Sequence, residues 1–299
     1  MRDSEMAVDI APYRSAIDAA LARECEHLPP MPEKVAESIR YTLRGPGKRL
    51  RGIMVTAAYH AAGGGGEVSG LAAAVEMLHA YSLAHDDLPC MDDDDLRRGR
   101  PTTHKVYGVE ATVLAGIVLI PLAARVAARA VNRMHRGSTR SGPIVEVLMQ
   151  AAGSSGMIGG QLHDLIAENT PVASVDALQR IHRAKTGALM SASCRVGAMA
   201  AGAPDRAVQA LANFGSDLGL AFQIVDDVLD VTSSSIELGK TAGRDAVLGK
   251  STYPALLGVD GAMKRAAHLA KQGCTTLKEQ NLLSQDLRHL ADLVITRTH

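Results

Sequence analysis

Residues 71–100 read LAAAVEMLHAYSLAHDDLPCMDDDDLRRGR. The first half, Leu71 to Ala84, is apolar at helical spacing and reads as a helix entering a core. It runs into six aspartates within ten residues, Asp86, Asp87 and Asp92 to Asp95, followed at once by Arg97, Arg98 and Arg100. Such a run repels itself unless cations compensate. Read alone, a solvated acidic loop is the bland alternative; the apolar helix before it and the arginines after it favour a cation site. Pro89 breaks regular helix after Asp86. The break matters because positions 86 and 92 stand roughly 240° apart on an ideal helix. With a kink, Asp86 and Asp92 can converge on one ion. Carboxylates with open positions suit Mg²⁺, which takes oxygen ligands and shares itself with phosphates.

A second acidic group lies at residues 222–230, Phe-Gln-Ile-Val-Asp-Asp-Val-Leu-Asp. Asp226 and Asp230 are four apart and share a helical face, with Asp227 beside them. The other positions are apolar, so this helix is largely buried, and buried carboxylates need partners. A structural salt bridge is one such partner; two clusters in a neutral helical protein favour a shared metal site. Basic residues supply the counterpart. Lys48, Arg49 and Arg51 follow the Gly45-Pro46-Gly47 turn at a helix start, where backbone N–H groups and side chains can hold a phosphate. Lys185-Thr186-Gly187, Lys240 and Lys250 stand near other junctions. His79 precedes Asp86 by seven residues and shares its face.

The chain has 299 residues, with 32 basic and 32 acidic side chains and 46% hydrophobic content. That composition excludes a mostly disordered chain, and it lacks the basic excess of a nucleic-acid binder. Cys25, Cys90, Cys194 and Cys274 form no CxxC pair, which points to a reducing cytoplasm. The first residues lack the apolar core of a signal peptide. The longest apolar run, Ala111 to Ala124, is too short for a bilayer span and reads as a buried helix. Helical periodicity dominates throughout, with about ten helices and no long linker. The reading is all-α: one domain over residues 1–299, a helical bundle around a central cavity.

The motifs GPGKRLR (45–51), EMLHAYSLAHDDLPCMDDDDLRRGRPTTH (76–104), GMIGGQLHDL (156–165), KTGAL (185–189), GLAFQIVDDVLD (219–230), LGK (238–240), GKSTYPALLG (249–258) and LADLVITR (290–297) occur in this order. Together they resemble the short-chain trans-isoprenyl diphosphate synthases, the polyprenyl synthetases that make farnesyl and geranylgeranyl diphosphate. The resemblance covers nearly the whole chain. It implies an isoprenoid-synthase bundle, usually a homodimer, that condenses isopentenyl diphosphate with dimethylallyl, geranyl or farnesyl diphosphate. It implies three Mg²⁺ ions ligated by Asp86, Asp92 and Asp226, with Asp87, Asp227 and Asp230 supporting them. Arg97, Lys185 and Lys240 would hold the allylic diphosphate. Lys48, Arg51, His79 and Arg98 would hold the diphosphate of isopentenyl diphosphate, and Thr186 and Gln223 would lie beside the reacting carbons.

The implied chemistry is ionisation, condensation and elimination. Cations stabilise the departing diphosphate, the electrostatic mode that dominates much catalysis, and an apolar chamber keeps water from the allylic cation. Tyr81 and Ser82 stand five and four residues before Asp86, about 6–7.5 Å along the helix. In the resembled family these positions line the product tunnel. A bulky Tyr81 stops the chain at fifteen carbons; if it packs sideways, the product reaches twenty.

Two departures stand out. Ile117 occupies the acidic place of the family's usual LAGD, and the usual GGKRxRP is here GPGKRLRG, with Pro46 for a glycine and Gly52 for a proline. Two other readings compete. A class I terpene cyclase shares one Asp motif but carries a different second one. A catalytically silent partner subunit rests on Ile117 alone.

Overall fold

The computed structural model describes residues 9–134, 140–169, 172, 174–232 and 251–297. Among them run α1 (Ala11–Glu26), α2 (Glu33–Leu43), α3 (Leu50–Ala61), α4 (Ser69–Asp86), α5 (Thr103–Tyr107), α6 (Val109–Met134), α7 (Ser141–Ala152), α8 (Met157–Asn169) and α9 (Val175–His182). A π-wound turn, Arg183–Gly187, leads into α10 (Ala188–Ala201), followed by α11 (Asp205–Thr232), α12 (Tyr253–Glu279) and α13 (Gln285–Thr296). The only strand pairing among the described residues is a short antiparallel hairpin, β1 (Leu96–Arg97) with β2 (Arg100–Pro101). The all-α reading is correct.

The core is aliphatic and alanine-rich, as the scarcity of aromatics requires. α4 is buried on most of its surface and packs against α3 and α6. A helix apolar nearly all round belongs in the centre of a bundle. α10 lies between α3 and α11, and α11 packs along α12. These helices approach closely through small residues. A Cβ added at Gly219 of α11 would stand 2.8 Å from Gly187 Cα, so the start of α10 could not seat against α11 with any side chain there. Hydroxyl caps set several starts: Ser174, Thr252 and Ser284 accept from Ala177, Ala255 and Leu287 N–H groups at 3.2, 3.4 and 3.2 Å.

α6 departs from the sequence reading. It is longer than the Ala111–Ala124 run and only half buried, and by length and composition it could cross a bilayer. It is instead a bundle helix that turns Ala115, Leu119, Ala123, Val126 and Ala127 inward and leaves Leu114 49% and Ile117 54% exposed. Ala111–Ala124 is therefore one wall of the bundle with an apolar outer face. The reading of a buried helix holds for the inner face only, because the inner positions already satisfy helical spacing and the outer ones are apolar too. α8 repeats the pattern, exposing Ile158, Leu162 and Ile166, spaced one turn apart.

Four non-glycine residues among those described hold positive φ; one is Asn281, at 57°, between α12 and α13. Arg49, Asp93 and Arg98 hold φ of 52°, 49° and 53°. Left-handed conformations are costly for non-glycine residues and persist where surrounding contacts impose them, often at functional sites. All three lie in the two motif loops.

Candidate active site

The first acidic segment folds back on the end of α4. Asp92 N–H donates to Asp86 O at 2.8 Å, Asp93 N–H to Leu88 O at 3.0 Å and Asp94 N–H to Asp87 O at 3.3 Å. The kink expected at Pro89 is thus a closed loop that returns Asp92 to the neighbourhood of Asp86. Burial raises the Asp86 carboxyl to about 6; Lys185 opposes the rise and Asp92 adds to it. Asp87 is raised by burial as well, against the pull of Arg97. Arg97 Nε donates to Asp87 Oδ1 at 2.6 Å, and its Nη2 reaches Asp94 Oδ2 at 3.4 Å.

The π turn supplies the facing wall. Arg183 ties it to α11 by donating to Ser216 Oγ and Asp217 Oδ1 at 2.5 and 2.9 Å. Lys185 Nζ donates to Asp164 Oδ2 on α8 at 2.6 Å. Burial alone would lower this ammonium's pKa, but Asp164, with Asp86 and Asp92 beyond it, holds it above the ordinary lysine value. The first motif and the π turn therefore face one chamber. Gly160 makes the seat: a Cβ there would stand 2.2 Å from Lys185 N and 2.6 Å from its Cα.

The second motif lies on α11. Thr186 Oγ1 donates to Gln223 Oε1 at 2.9 Å, and Gln223 Nε2 donates to Asp227 Oδ1 at 3.2 Å. Asp227 Oδ2 accepts from Tyr253 N–H at 3.0 Å, which fixes the start of α12. Asp230, like Asp227, is buried. Asp226 Oδ1 accepts from Arg297 Nη2 at 3.2 Å; the same nitrogen donates to Phe222 O at 2.8 Å and the guanidinium lies 3.7 Å from the Phe222 ring centroid.

The basic loop completes the site. Burial lowers the Lys48 ammonium, Arg297 and Arg98 add to the drop, and Asp226 opposes it. Lys48 is thus the link between this loop and the second motif. Arg51, at the start of α3, is buried and lowered to about 10, chiefly by desolvation with Glu76 opposing. It donates from Nη1 to His79 Nε2 at 3.1 Å. Burial first, then Arg51, holds His79 well below its usual range, so the imidazole is neutral. With Nε2 accepting, Nδ1 carries the proton, and neither it nor Arg51 Nε has a hydrogen-bond partner. Burial likewise lowers Arg98, which donates to Pro46 O at 2.6 Å. A cavity of about 70 Å³ opens here, lined by Glu76, His79, Asp87, Arg97 and Arg98.

The two departures from the usual motifs acquire physical readings. Gly52 N–H donates to the buried Glu76 Oε1 at 2.8 Å, a bond that proline could not make. Ile117 stands on the exposed face of α6. Tyr81 is buried and donates to Ala152 O at 3.0 Å, with its ring edge-on to His85 at 5.9 Å. Ser82 Oγ donates to His79 O at 3.0 Å.

Lys240 and Lys250 lie outside the described residues. Among those described, no three His, Cys, Asp or Glu side chains converge into a ready cation cage. Protein cations meet several of the carboxylates instead. Three residues received no role from the sequence, although all fall within quoted motifs: Glu76, Asp164 and Arg297. Only their distant partners reveal them.

A family model described as polyprenyl synthetase matches residues 32–286. The chain is 46% identical to the farnesyl diphosphate synthase of Escherichia coli (strain K12) over 283 residues, 93% of this chain and 94% of that protein. It is 44% identical to a chloroplastic geranylgeranyl pyrophosphate synthase of Catharanthus roseus over 263 residues, 88% of this chain and 71% of that protein. Among solved structures, an apo FPP/GFPP synthase from Zymomonas mobilis superposes with a TM-score of 0.82 at 32% identity, covering 97% of this chain and 98% of the other. A geranyltransferase from Helicobacter pylori, crystallised with magnesium and isoprenyl diphosphate, gives 0.82 at 29% identity, with 97% of each chain covered.

Proposed function

The chain belongs to the polyprenyl synthetase family and is a trans-prenyltransferase, and on that premise we propose how its residues divide the work of joining isopentenyl diphosphate to an allylic diphosphate. The observation that carries the division is Lys185, bonded to Asp164 while sensing Asp86 and Asp92 of the first motif.

Asp86, Asp92 and Asp226 would hold Mg²⁺, three ions in all, with Asp87, Asp227 and Asp230 in support. The donor set fits: these are oxygen-only ligands, and Asp86 is raised by burial, so a cation would be stabilised there. Magnesium shares its coordination with phosphates, which suits a carboxylate set that is incomplete without diphosphate. When bound, the metal supplies neutralising charge on the leaving diphosphate. Lys185 and Arg97, with Lys240, bind the allylic diphosphate. Arg51, His79, Lys48 and Arg98 bind the diphosphate of isopentenyl diphosphate, where the unpartnered N–H groups of Arg51 and His79 find acceptors. Thr186 Oγ1 and Gln223 Oε1 turn partial negative charge toward the cation. The bundle excludes water from it.

Tyr81, anchored to Ala152 O, is the tunnel floor in this reading and favours a fifteen-carbon product over a twenty-carbon one. The exposed apolar stripes of α6 and α8 suit a homodimer. The four free thiols suit the cytoplasm, and the helices act as one domain. The cyclase alternative is disfavoured by the intact Asp226, Asp227 and Asp230 set and the Lys48–Arg51 loop. The silent-subunit alternative loses its support because Ile117 points outward.

The test is incubation with Mg²⁺, isopentenyl diphosphate and each allylic diphosphate, followed by product chromatography. Elongated product is the expected result. Cyclised hydrocarbon from an allylic diphosphate alone, or no turnover, would reject the proposal.

A further inference from the structure

α4 ends at Asp86, and the residue before it is fastened to the neighbouring helix. His85 Nε2 donates to the backbone oxygen of Val113, on α6, at 3.1 Å. A carbonyl oxygen only accepts, so the proton sits on Nε2. The ring reaches α6 through a notch at Gly116. A Cβ there would stand 2.5 Å from His85 Cδ2 and 2.6 Å from Cε1, and closer still to Nε2. Any residue but glycine would expel the imidazole. Glycine inside a helix is destabilising relative to alanine, and Gly116 lies well within α6. The ring is what the notch admits. Tyr81 lies edge-on to it at 5.9 Å.

The backbone of His85 carries the acidic loop. Its oxygen accepts from Leu88 N–H at 3.1 Å, and Leu88 O accepts from Met91 and Asp93 N–H groups at 2.9 and 3.0 Å. Beside it, Asp86 O accepts from Asp92 N–H at 2.8 Å. The fold-back that returns Asp92 to Asp86 therefore starts from one residue, and α6 holds that residue by its side chain.

We propose that His85 is a positioning residue for magnesium capture: by joining the end of α4 to α6 through the Gly116 notch, it fixes the spacing of Asp86 and Asp92. The role rests on the prenyltransferase reading above. His85 itself touches neither ion nor substrate. Without the tie the end of α4 is free to shift, and part of the binding free energy of the ion is spent on ordering the two carboxylates. Mg²⁺ demands near-octahedral geometry at short distances, so a loose pair serves it poorly.

The experiment compares wild type with His85→Ala, His85→Gln, Gly116→Ala and the double variant His85→Ala with Gly116→Ala. Calorimetric titration of Mg²⁺ into protein holding inorganic diphosphate reads affinity. Condensation of dimethylallyl and isopentenyl diphosphates reads kcat, both KM values and the Mg²⁺ needed for half-maximal rate. Thermal melting is followed beside them. His85→Ala and Gly116→Ala should each weaken the titrated affinity roughly 10-fold and raise the Mg²⁺ requirement equally, with KM for isopentenyl diphosphate unchanged. His85→Gln, whose amide N–H can replace the donor to Val113, should stay near wild type. In the double variant the added methyl finds no ring to displace, so it should bring no further loss. Lower melting temperatures with unchanged Mg²⁺ affinity make His85 a packing residue and overturn the proposal. Additive losses in the double variant overturn it too, as does a His85→Gln loss equal to that of His85→Ala. Failure of wild type to give elongated product rejects the underlying reading instead, while the titration still judges His85.

Discussion

Gly160→Ala puts the geometry of the chamber to its most direct test. The added Cβ would stand 2.2 Å from Lys185 N and 2.6 Å from its Cα, against 3.4 Å for ordinary contact. The obstructing atoms are backbone, so no side chain can swing away. α8 and the π turn must part by about 1 Å, the difference between those two distances. Overpacking of this kind costs roughly 1–3 kcal/mol. At about 2–4 °C per kcal/mol for a chain of this size, the melting temperature should drop by several degrees. The catalytic effect should be larger. The 2.6 Å bond from Lys185 to Asp164 spans this same joint and would be pulled out of place. A misplacement near 1 Å can cost about 100-fold in rate. Calorimetry and steady-state kinetics read the two effects, with Gly142→Ala as control, since nothing lies within 4 Å of a Cβ there. Wild-type melting and turnover in Gly160→Ala would refute the close seating of α8 on the turn.

Four further outcomes follow from the same geometry. Asp86→Ala should cut turnover by orders of magnitude with the fold intact by circular dichroism; near-normal rates would remove Asp86 from the metal set. Arg51→Ala should raise KM for isopentenyl diphosphate at least about tenfold, the scale of one lost charge-assisted bond, while leaving the allylic KM nearly unchanged. Tyr81→Ala should lengthen the product, read by chromatography, and an unchanged product would dismiss Tyr81 as the floor. Leu114→Glu with Ile117→Glu should convert the proposed dimer to monomer in light scattering; an unaltered mass would reject α6 as its interface.

The parts of the candidate site that can be read from the sequence are those whose pattern is local. Aspartates crowded at the end of an apolar helix, Pro89 behind Asp86, and the i,i+4 pair Asp226 and Asp230 can all be read along the chain. What escaped depends on distant partners. No spacing rule joins Lys185 to Asp164, Arg297 to Asp226, or Glu76 to the Gly52 N–H. The outer face of α6 was misjudged for a related reason: Leu114 and Ile117 are as apolar as any core residue, and only the finished bundle decides which face meets water.

The widened winding at Arg183–Gly187 has a consequence for how this stretch can vary. α9, the turn and α10 form one rod whose hydrogen bonding loosens for five residues and then tightens again. Each residue of an ordinary helix contributes about 100° of rotation. Excising one residue here would regularise the rod and leave its two halves nearly in phase, because a π-wound turn takes about one residue more than an α turn for the same rotation, but it would re-aim the side chains of the turn itself. Arg183 could then no longer grip Ser216 and Asp217 while Lys185 reached across to α8. Substitutions can be absorbed at many places in this rod, but a change in its length cannot.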